Sequence, residues 1–276
     1  MTLSIRHRTE YRYAPKAARV GLRLKLFPLS TPQQEIGAWE VAVNGAPVTP
    51  LITNPFGEGE AMWFSSTPLE DVEVTASGTV TLRDTSGVLG KLGRFRASVF
   101  CRATTLTEID QELSDFASGI EGETPLARMH ALSEAVHAAI SYRKGVTASD
   151  TTAAQALALG AGVCQDLTHV FIASARAMGM PARYVTGYLL EDADEDGATP
   201  ELATHAWAEV YLDGLGWTGF DPTHEVCPAD RHIRLCSGFD AADAAPLRGH
   251  VTGETEESME ISVEIARSQI QSQSQS

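Results

Sequence analysis

The sequence predicts an α+β fold in two parts: an N-terminal antiparallel β domain, then a core in which a helix packs on an antiparallel sheet. Three observations predict it. Up to Leu82, short runs of alternating apolar and polar residues are broken by Pro28, Pro32, Asn44-Gly45 and Asn54-Pro55-Phe56-Gly57, and no helical period competes. From Thr107 to Met178 apolar residues recur at helical spacing. After Pro181 the strand pattern returns in ARYVTGYLL and again in HAWAEVYL.

Taken in order, the first part predicts strands at Leu3–Tyr13, Arg19–Phe27, Trp39–Val43, Ala61–Ser65 and Val72–Leu82. Asn44-Gly45, between VAV and APV, is the composition of a two-residue hairpin. The cations Arg6, Arg8, Arg12, Arg19, Arg23 and Lys25 read as the solvated face of this sheet. Residues 84–102 are glycine-rich and read as a connection, which puts the domains at 1–95 and 96–266, with a polar tail at 267–276 too hydrophilic to pack. Thr107 is positioned to cap a helix over Glu108–Ala117. Thr124-Pro125 opens a second helix to about Ile140, and Thr151 or Thr152 caps a short alanine-rich helix ending at Leu159. A last strand is expected in VEI, within Gly249–Ile265.

Composition narrows the function. A net charge of −15 and a pI near 4.9 exclude binding to nucleic acid or an anionic membrane through bulk electrostatics, since either needs a basic face. The N-terminal MTLSIRHRTEYRY carries charges where a signal peptide places its apolar segment, and no uncharged run approaches the ~20 residues that span a bilayer. A cytoplasmic location is the expectation. Cys101, Cys164, Cys227 and Cys236 have neither the density of a disulfide scaffold nor a CxxC pair for zinc, so reduced thiols are expected. No metal and no cofactor is expected. His130 and His137 lie seven apart without a carboxylate at the intervening turn, so they read as surface or boundary residues. The acidic run Glu191–Asp196 lacks the spaced ligands and closing Glu of an EF-hand loop and reads as a solvated loop.

The candidate chemistry centres on GAGVCQDLTHVFIASARAM, residues 160–178. Leu167, Val170, Phe171 and Met178 fall at helical spacing, Gly160 and Gly162 supply the entry turn, and Gly179 with Pro181 the stop. Cys164 therefore occupies the first turn of a helix, where amide groups and the helix dipole favour an anion such as a thiolate. His205 follows inside THAWAEVYL and Asp221 inside GWTGFDPTH, which is the order a thiol-based acyl-transfer site needs. Asp166 and His169 share the helix of Cys164 but point away from it. Asp166 is expected to bond amides of the first turn. Tyr142 reads as core packing in preference to a hydrogen-bond donor at the site, and His224 and His232 as loop residues subordinate to His205.

Strand parity tests the pairing of His205 with Asp221. A two-residue turn at Asp213-Gly214 would put Asp221 on the face opposite His205, whereas a three-residue turn, Asp213-Gly214-Leu215, pairs Leu212 with Gly216 and puts both on one face. The odd-length loop, with Gly214 near the left-handed region, or else a bulge farther along that restores the same parity, is the expectation.

The runs GVCQDLTHVFIASARAMGMPARYVTGYL and HAWAEVYLDGLGWTGFDPT resemble the transglutaminase-like superfamily, whose bacterial members pair a cysteine with the histidine of an HAW segment and the aspartate of a DPT segment. The resemblance covers roughly Leu106 to Leu235, and the first hundred residues are similar to the β-rich domain that often precedes this core in bacteria. It implies a papain-like, transglutaminase-like core and a Cys164–His205–Asp221 triad that forms a thioester from a peptide or protein amide. Water as the second substrate gives a cysteine peptidase or amidase, the outcome the bacterial resemblance favours; an amine gives a protein-glutamine transamidase. Some relatives with altered triads keep the fold as binding or scaffold proteins.

Overall fold

A computed structural model of the chain describes residues 1–190 and 202–267. Among these, eight strands come first: β1 (Thr2–Ala17), β2 (Arg19–Phe27), β3 (Gln34–Val43), β4 (Ala46–Val48), β5 (Ile52–Thr53), β6 (Gly59–Ser65), β7 (Leu69–Leu82) and β8 (Val88–Gly90). The helices are α1 (Gln111–Ser118), α2 (Pro125–Ala139), α3 (Ala153–Leu159) and α4 (Cys164–Ala177). The short strands β9 (Ser141–Tyr142) and β10 (Ala161–Gly162) pair in parallel between them. The chain ends in β11 (Ala182–Leu190), β12 (Leu202–Leu212), β13 (Gly216–Phe220), β14 (His232–Gly238), β15 (Leu247–Thr252) and β16 (Glu256–Arg267). The mixed helix and strand content is the expected α+β class. The acidic run Glu191–Asp196 and the tail beyond Arg267 lie outside the described residues.

The N-terminal part is a sandwich of two antiparallel sheets, ordered β16-β1-β7-β3-β4 and β15-β2-β6-β5. Alternate residues of β1 and β2 face its core, where Leu3, Ile5, Leu22 and Leu24 are almost wholly buried. Asn44 and Gly45 adopt positive φ values of 49° and 75°, and Val43 pairs with Ala46, the two-residue turn expected there. Lys25 corrects the solvated-face reading. It is 1 % exposed, and its ammonium donates to the carbonyls of Ser237 and Asp243 and sits over the Phe56 ring. The chain pays no bare-charge penalty because carbonyls and a π face replace water.

Two further differences concern where elements begin. Thr107 belongs to a 3-10 turn, and Asp110 caps α1 by accepting from the Leu113 N–H at 2.9 Å. Asp is a better N-cap than Thr, and an acidic residue at that end also complements the helix dipole. The segment expected to be a plain connection contains β8, which extends the core sheet beside β13, and Phe100, which packs on Trp217. Thr124 and Thr152 cap α2 and α3 as expected.

The last two strands do not stay with the core. β16 pairs along β1 from Leu3↔Arg267 to Ala14↔Glu256, and β15 pairs with β2. The sheets therefore cross the expected division near residue 95, and Tyr188, Leu190, Leu202, Ile233 and Leu235 join the sandwich core. The second core sheet runs β14-β11-β12-β13-β8, with α1 to α4 on one face. α4 is buried nearly all round from Asp166 to Arg176. Burying Leu167, Val170, Phe171 and Ile172 stabilises it by about 1.5–3 kcal/mol each, and Arg176 is satisfied by the carbonyls of Phe100, Ala182 and Phe239.

Candidate active site

The cysteine is placed by a turn that its neighbours hold. α3 stops at Gly160, whose φ of 62° is the left-handed C-terminal cap, and the chain crosses beside β9 into Val163. Asp166 reaches back from the first turn of α4 and accepts from the Val163 N–H and the Thr147 hydroxyl, each at 2.7 Å. This is the local role expected of it. Gly162 makes that fold-back possible, because a Cβ there would stand 2.6 Å from Asp166 Cβ. Cys164 is thereby the first residue of α4, half-buried, on the amide-rich end of the helix.

The histidine and aspartate are placed by the hairpin. Leu212 pairs with Gly216 and Ala208 with Phe220 across the three-residue turn, and Gly214 has φ 86°. The odd-length connection expected from parity is the one present. His205 Nε2 lies 2.8 Å from Asp221 Oδ2, and Cys164 lines the same cleft, close enough to the ring to raise its pKa. Since Nε2 is engaged by the carboxylate, Nδ1 is the nitrogen left for the thiol. The structure thus brings Cys164, His205 and Asp221 together.

One face of β12 packs Ala206, Ala208, Val210 and Leu212 on the helices, as expected. The opposite face, with His205, Trp207 and Glu209, is buried as well. Glu209 accepts from Arg183 Nε at 2.6 Å and Arg234 Nε at 2.9 Å, and Arg234 continues to Glu58 of the N-terminal part at 2.7 Å. Gly187 lies directly across from His205 in β11, and the Trp207 indole fills the space its missing side chain leaves. Trp207 contacts both the His205 and the His232 rings.

Sequence reasoning understated His224 and His232. Asp221 Oδ2 receives three histidines: His205 at 2.8 Å, His224 Nδ1 at 2.9 Å and His232 Nε2 at 3.0 Å, while Oδ1 accepts the Thr223 N–H. His232 is no loop residue; it opens β14, paired to Leu189. His224 is returned to Asp221 by a tight turn closed by the Asp221–Val226 bridge. Asp-Pro-Thr-His signals such a turn locally, whereas β14 reaches the site only through sheet order.

These bonds set the electrostatics. Burial alone raises a carboxyl, yet hydrogen bonds from His205, His224 and His232 hold Asp221 well below the usual carboxylate range. Burial disfavours charge on His205, but its bond to Asp221 and the nearby Cys164 carry its pKa up to about 9. His232 moves the other way: burial lowers it, so it faces Asp221 as a neutral N–H donor. His169 is excluded from the site. It packs on Tyr184, accepts the Ala241 N–H, and is lowered by burial to about 4.

His205, Asp221 and His232 also form the group among the described residues whose donor atoms lie within 4.8 Å of one another, a spacing a metal ion could use. Each histidine instead gives an N–H to the same oxygen, so a cation would compete with two protons there. In front of Cys164 and His205 lies a cleft of about 790 Å³, bordered by Tyr142, Lys144, Leu202, His224, Ile261 and Val263. Tyr142 is 50 % exposed in this cleft, which corrects its assignment to the core.

Comparison with known proteins finds two matching stretches of the chain. The transglutaminase-like superfamily matches residues 114–222 and the bacterial transglutaminase-like N-terminal region matches residues 3–81. This chain belongs to the transglutaminase-like superfamily, in its bacterial form with that N-terminal region. An uncharacterised protein of Mycobacterium leprae is 36 % identical over 129 residues, so that match spans 46 % of this chain and 46 % of the relative. An uncharacterised protein of Mycobacterium tuberculosis is 27 % identical over 290 residues, covering 95 % of this chain and 91 % of its own length. A candidate cysteine protease from Cytophaga hutchinsonii, solved by crystallography, has the same fold at a TM-score of 0.72 and 23 % identity, covering 96 % of this chain and 90 % of that one. No helix among the described residues is long and apolar enough to cross a membrane.

Proposed function

We propose that the protein is a thiol-dependent acyl-transfer enzyme acting on a peptide or protein amide, with hydrolysis as the outcome. The observation that carries this reading is the His205 ring bonded to the buried Asp221 and sharing one cleft with Cys164 at the start of α4. Cys164 Sγ attacks the amide carbonyl carbon after its proton passes to His205, and the first-turn amides of α4 face the developing oxyanion. The C–N bond then breaks as the imidazolium returns its proton to the leaving amine, giving a thioester on Cys164. Water, deprotonated by His205, cleaves that thioester. Asp221 orients the ring and stabilises its charged form throughout, while His224 and His232 keep the carboxylate anionic.

A second reading has one specific support. A protein-glutamine gamma-glutamyltransferase of Pseudomonas aeruginosa is 33 % identical over 70 residues, covering 24 % of this chain and 10 % of that enzyme, and transamidation would replace water by an amine. One experiment separates the two. A glutamine-containing peptide library is incubated with the protein, with and without a fluorescent primary amine, and with Cys164→Ala as control. Cleaved or deamidated peptide is expected in both incubations with the intact chain. Amine incorporation exceeding hydrolysis would select transamidation, and equal product from Cys164→Ala would reject the thiol mechanism.

A further inference from the structure

Next to the cleft is a smaller cavity of about 260 Å³ that the proposed chemistry leaves unused. The two share Thr204 of β12 and Ile261 of β16, so the smaller space adjoins the one that holds Cys164 and His205. Its inner surface is formed by Tyr188 and Leu235, both 1 % exposed, and its rim by Leu247, Met259 and Ile261. The polar atoms at its back are already paired with one another. The Tyr188 hydroxyl lies 2.9 Å from His7 Nδ1, and His7 Nε2 lies 2.8 Å from Thr9 Oγ1. A polar guest therefore finds no unpaired partner at the back of the cavity, whereas an apolar one loses water there without breaking a bond.

The rim has a direction. Val263, Ile261 and Met259 are alternate residues on one face of β16: Val263 borders the cleft, Ile261 both spaces, and Met259 the cavity. Met259 is 54 % exposed and Ile261 46 % exposed. Single exposed apolar side chains need no explanation. Two that flank a cavity beside a reactive cleft do, and their two-residue spacing offsets the cavity from the cleft by roughly 7 Å.

We infer that this cavity is a substrate subsite for one large apolar side chain, carried by a residue flanking the reacting amide. The assignment rests on reading the cleft as a peptide amide site, and it makes the C-terminal strand a determinant of specificity. An aliphatic or aromatic side chain of leucine or phenylalanine size fits the volume, and acidic or hydroxyl side chains are disfavoured by the apolar rim.

Equilibrium binding tests this without depending on turnover. Capped, fluorescently labelled pentapeptides with a central glutamine are titrated against the full chain carrying Cys164→Ala, each flanking position being varied among Leu, Phe, Ser and Asp. At one flanking position the Leu and Phe peptides are expected to bind at least tenfold more tightly than the Ser and Asp peptides. Adding Ile261→Glu or Met259→Glu, both at exposed positions, should abolish that preference, with melting curves reporting the fold. Thr204→Phe fills the mouth from the opposite strand and should do the same if either glutamate variant unfolds. Equal affinities for all peptides, absence of binding by any of them, or a preference that survives in the folded variants would overturn the subsite. Because Cys164 is absent from every sample, failure here leaves the turnover test standing, and failure of that test leaves this result readable.

Discussion

At the scale of single residues, the site joins a nucleophile, a charged ring and a carboxylate that cannot easily take a proton. Cys164→Ala is expected to abolish turnover while the melting temperature stays near that of the intact chain; His205→Ala should also abolish it, with a loss of about 1–3 kcal/mol of stability because the buried Asp221 oxygen loses a donor. Asp221→Asn should retain a residue of activity, reduced by about 10²- to 10⁴-fold, because an amide orients the imidazole without stabilising its charge. Initial rates on a peptide found to be turned over measure the series, and parity among the three variants and the intact chain would end the reading. His232 makes a subtler demand. It donates to Asp221 from a buried position, so His232→Ala leaves that oxygen one donor short, at a cost of about 1–3 kcal/mol. His232→Gln, whose amide can donate in its place, should recover part of the loss in a denaturant titration; equal destabilisation by both would mean that ring packing on Trp207 matters more than the bond.

At the scale of elements, the site depends on two strands held close by an absent side chain. Gly187 sits between His205 on β12 and Arg234 on β14, and a Cβ there would stand 2.6 Å from Trp207 Cη2 and against the Ile233 carbonyl. The indole must move, and it contacts the rings of both His205 and His232. Gly187→Ala is therefore expected to destabilise the protein by about 1–3 kcal/mol and to lower kcat in the folded fraction, although the residue touches no substrate. Unchanged kcat with a lowered melting temperature would confine its role to packing. The turn Asp213–Leu215 acts at the same scale, since its odd length alone puts Asp221 on the face of His205.

At the scale of the whole molecule, buried charge and buried histidine tie the two parts together. Glu58 of the N-terminal part holds Arg234, which shares Glu209 with Arg183, and all four side chains are almost wholly buried. Glu58→Ala strands a guanidinium in the interior and should cost about 3–5 kcal/mol, read as a shifted denaturation midpoint. Stability should also peak near pH 6.5. Burial lowers His7 and His169 to about 4, below their unfolded value of about 6.5, so their contribution is present above pH 6.5 and is lost as the pH falls toward 4. His205 is raised to about 9, so its contribution is present below pH 6.5 and is lost as the pH rises through 9. Melting temperatures across this range give the curve. His169→Gln should flatten the acid limb and His205→Gln the alkaline limb; limbs that keep their slope in these variants would assign the pH dependence to other groups.

The sequence by itself determined what local geometry controls. A left-handed glycine and a capping carboxylate put Cys164 at a helix start, a two-residue and a three-residue turn set two hairpin registers, and parity put His205 and Asp221 on one face. Short-range sterics and strand period act within a few residues, so they can be read along the chain. Only the tertiary structure decided the rest. His232 reaches Asp221 because β14 lies beside β11, Lys25 is buried because carbonyls from Ser237 and Asp243 fold over it, and β16 returns to β1 to wall the cleft with Ile261 and Val263. Each of these contacts joins residues far apart in sequence. A neutral histidine, a buried lysine and a half-exposed tyrosine gain their roles from neighbours that strand order supplies, and strand order answers to the burial of the whole apolar surface, not to any one segment's pattern.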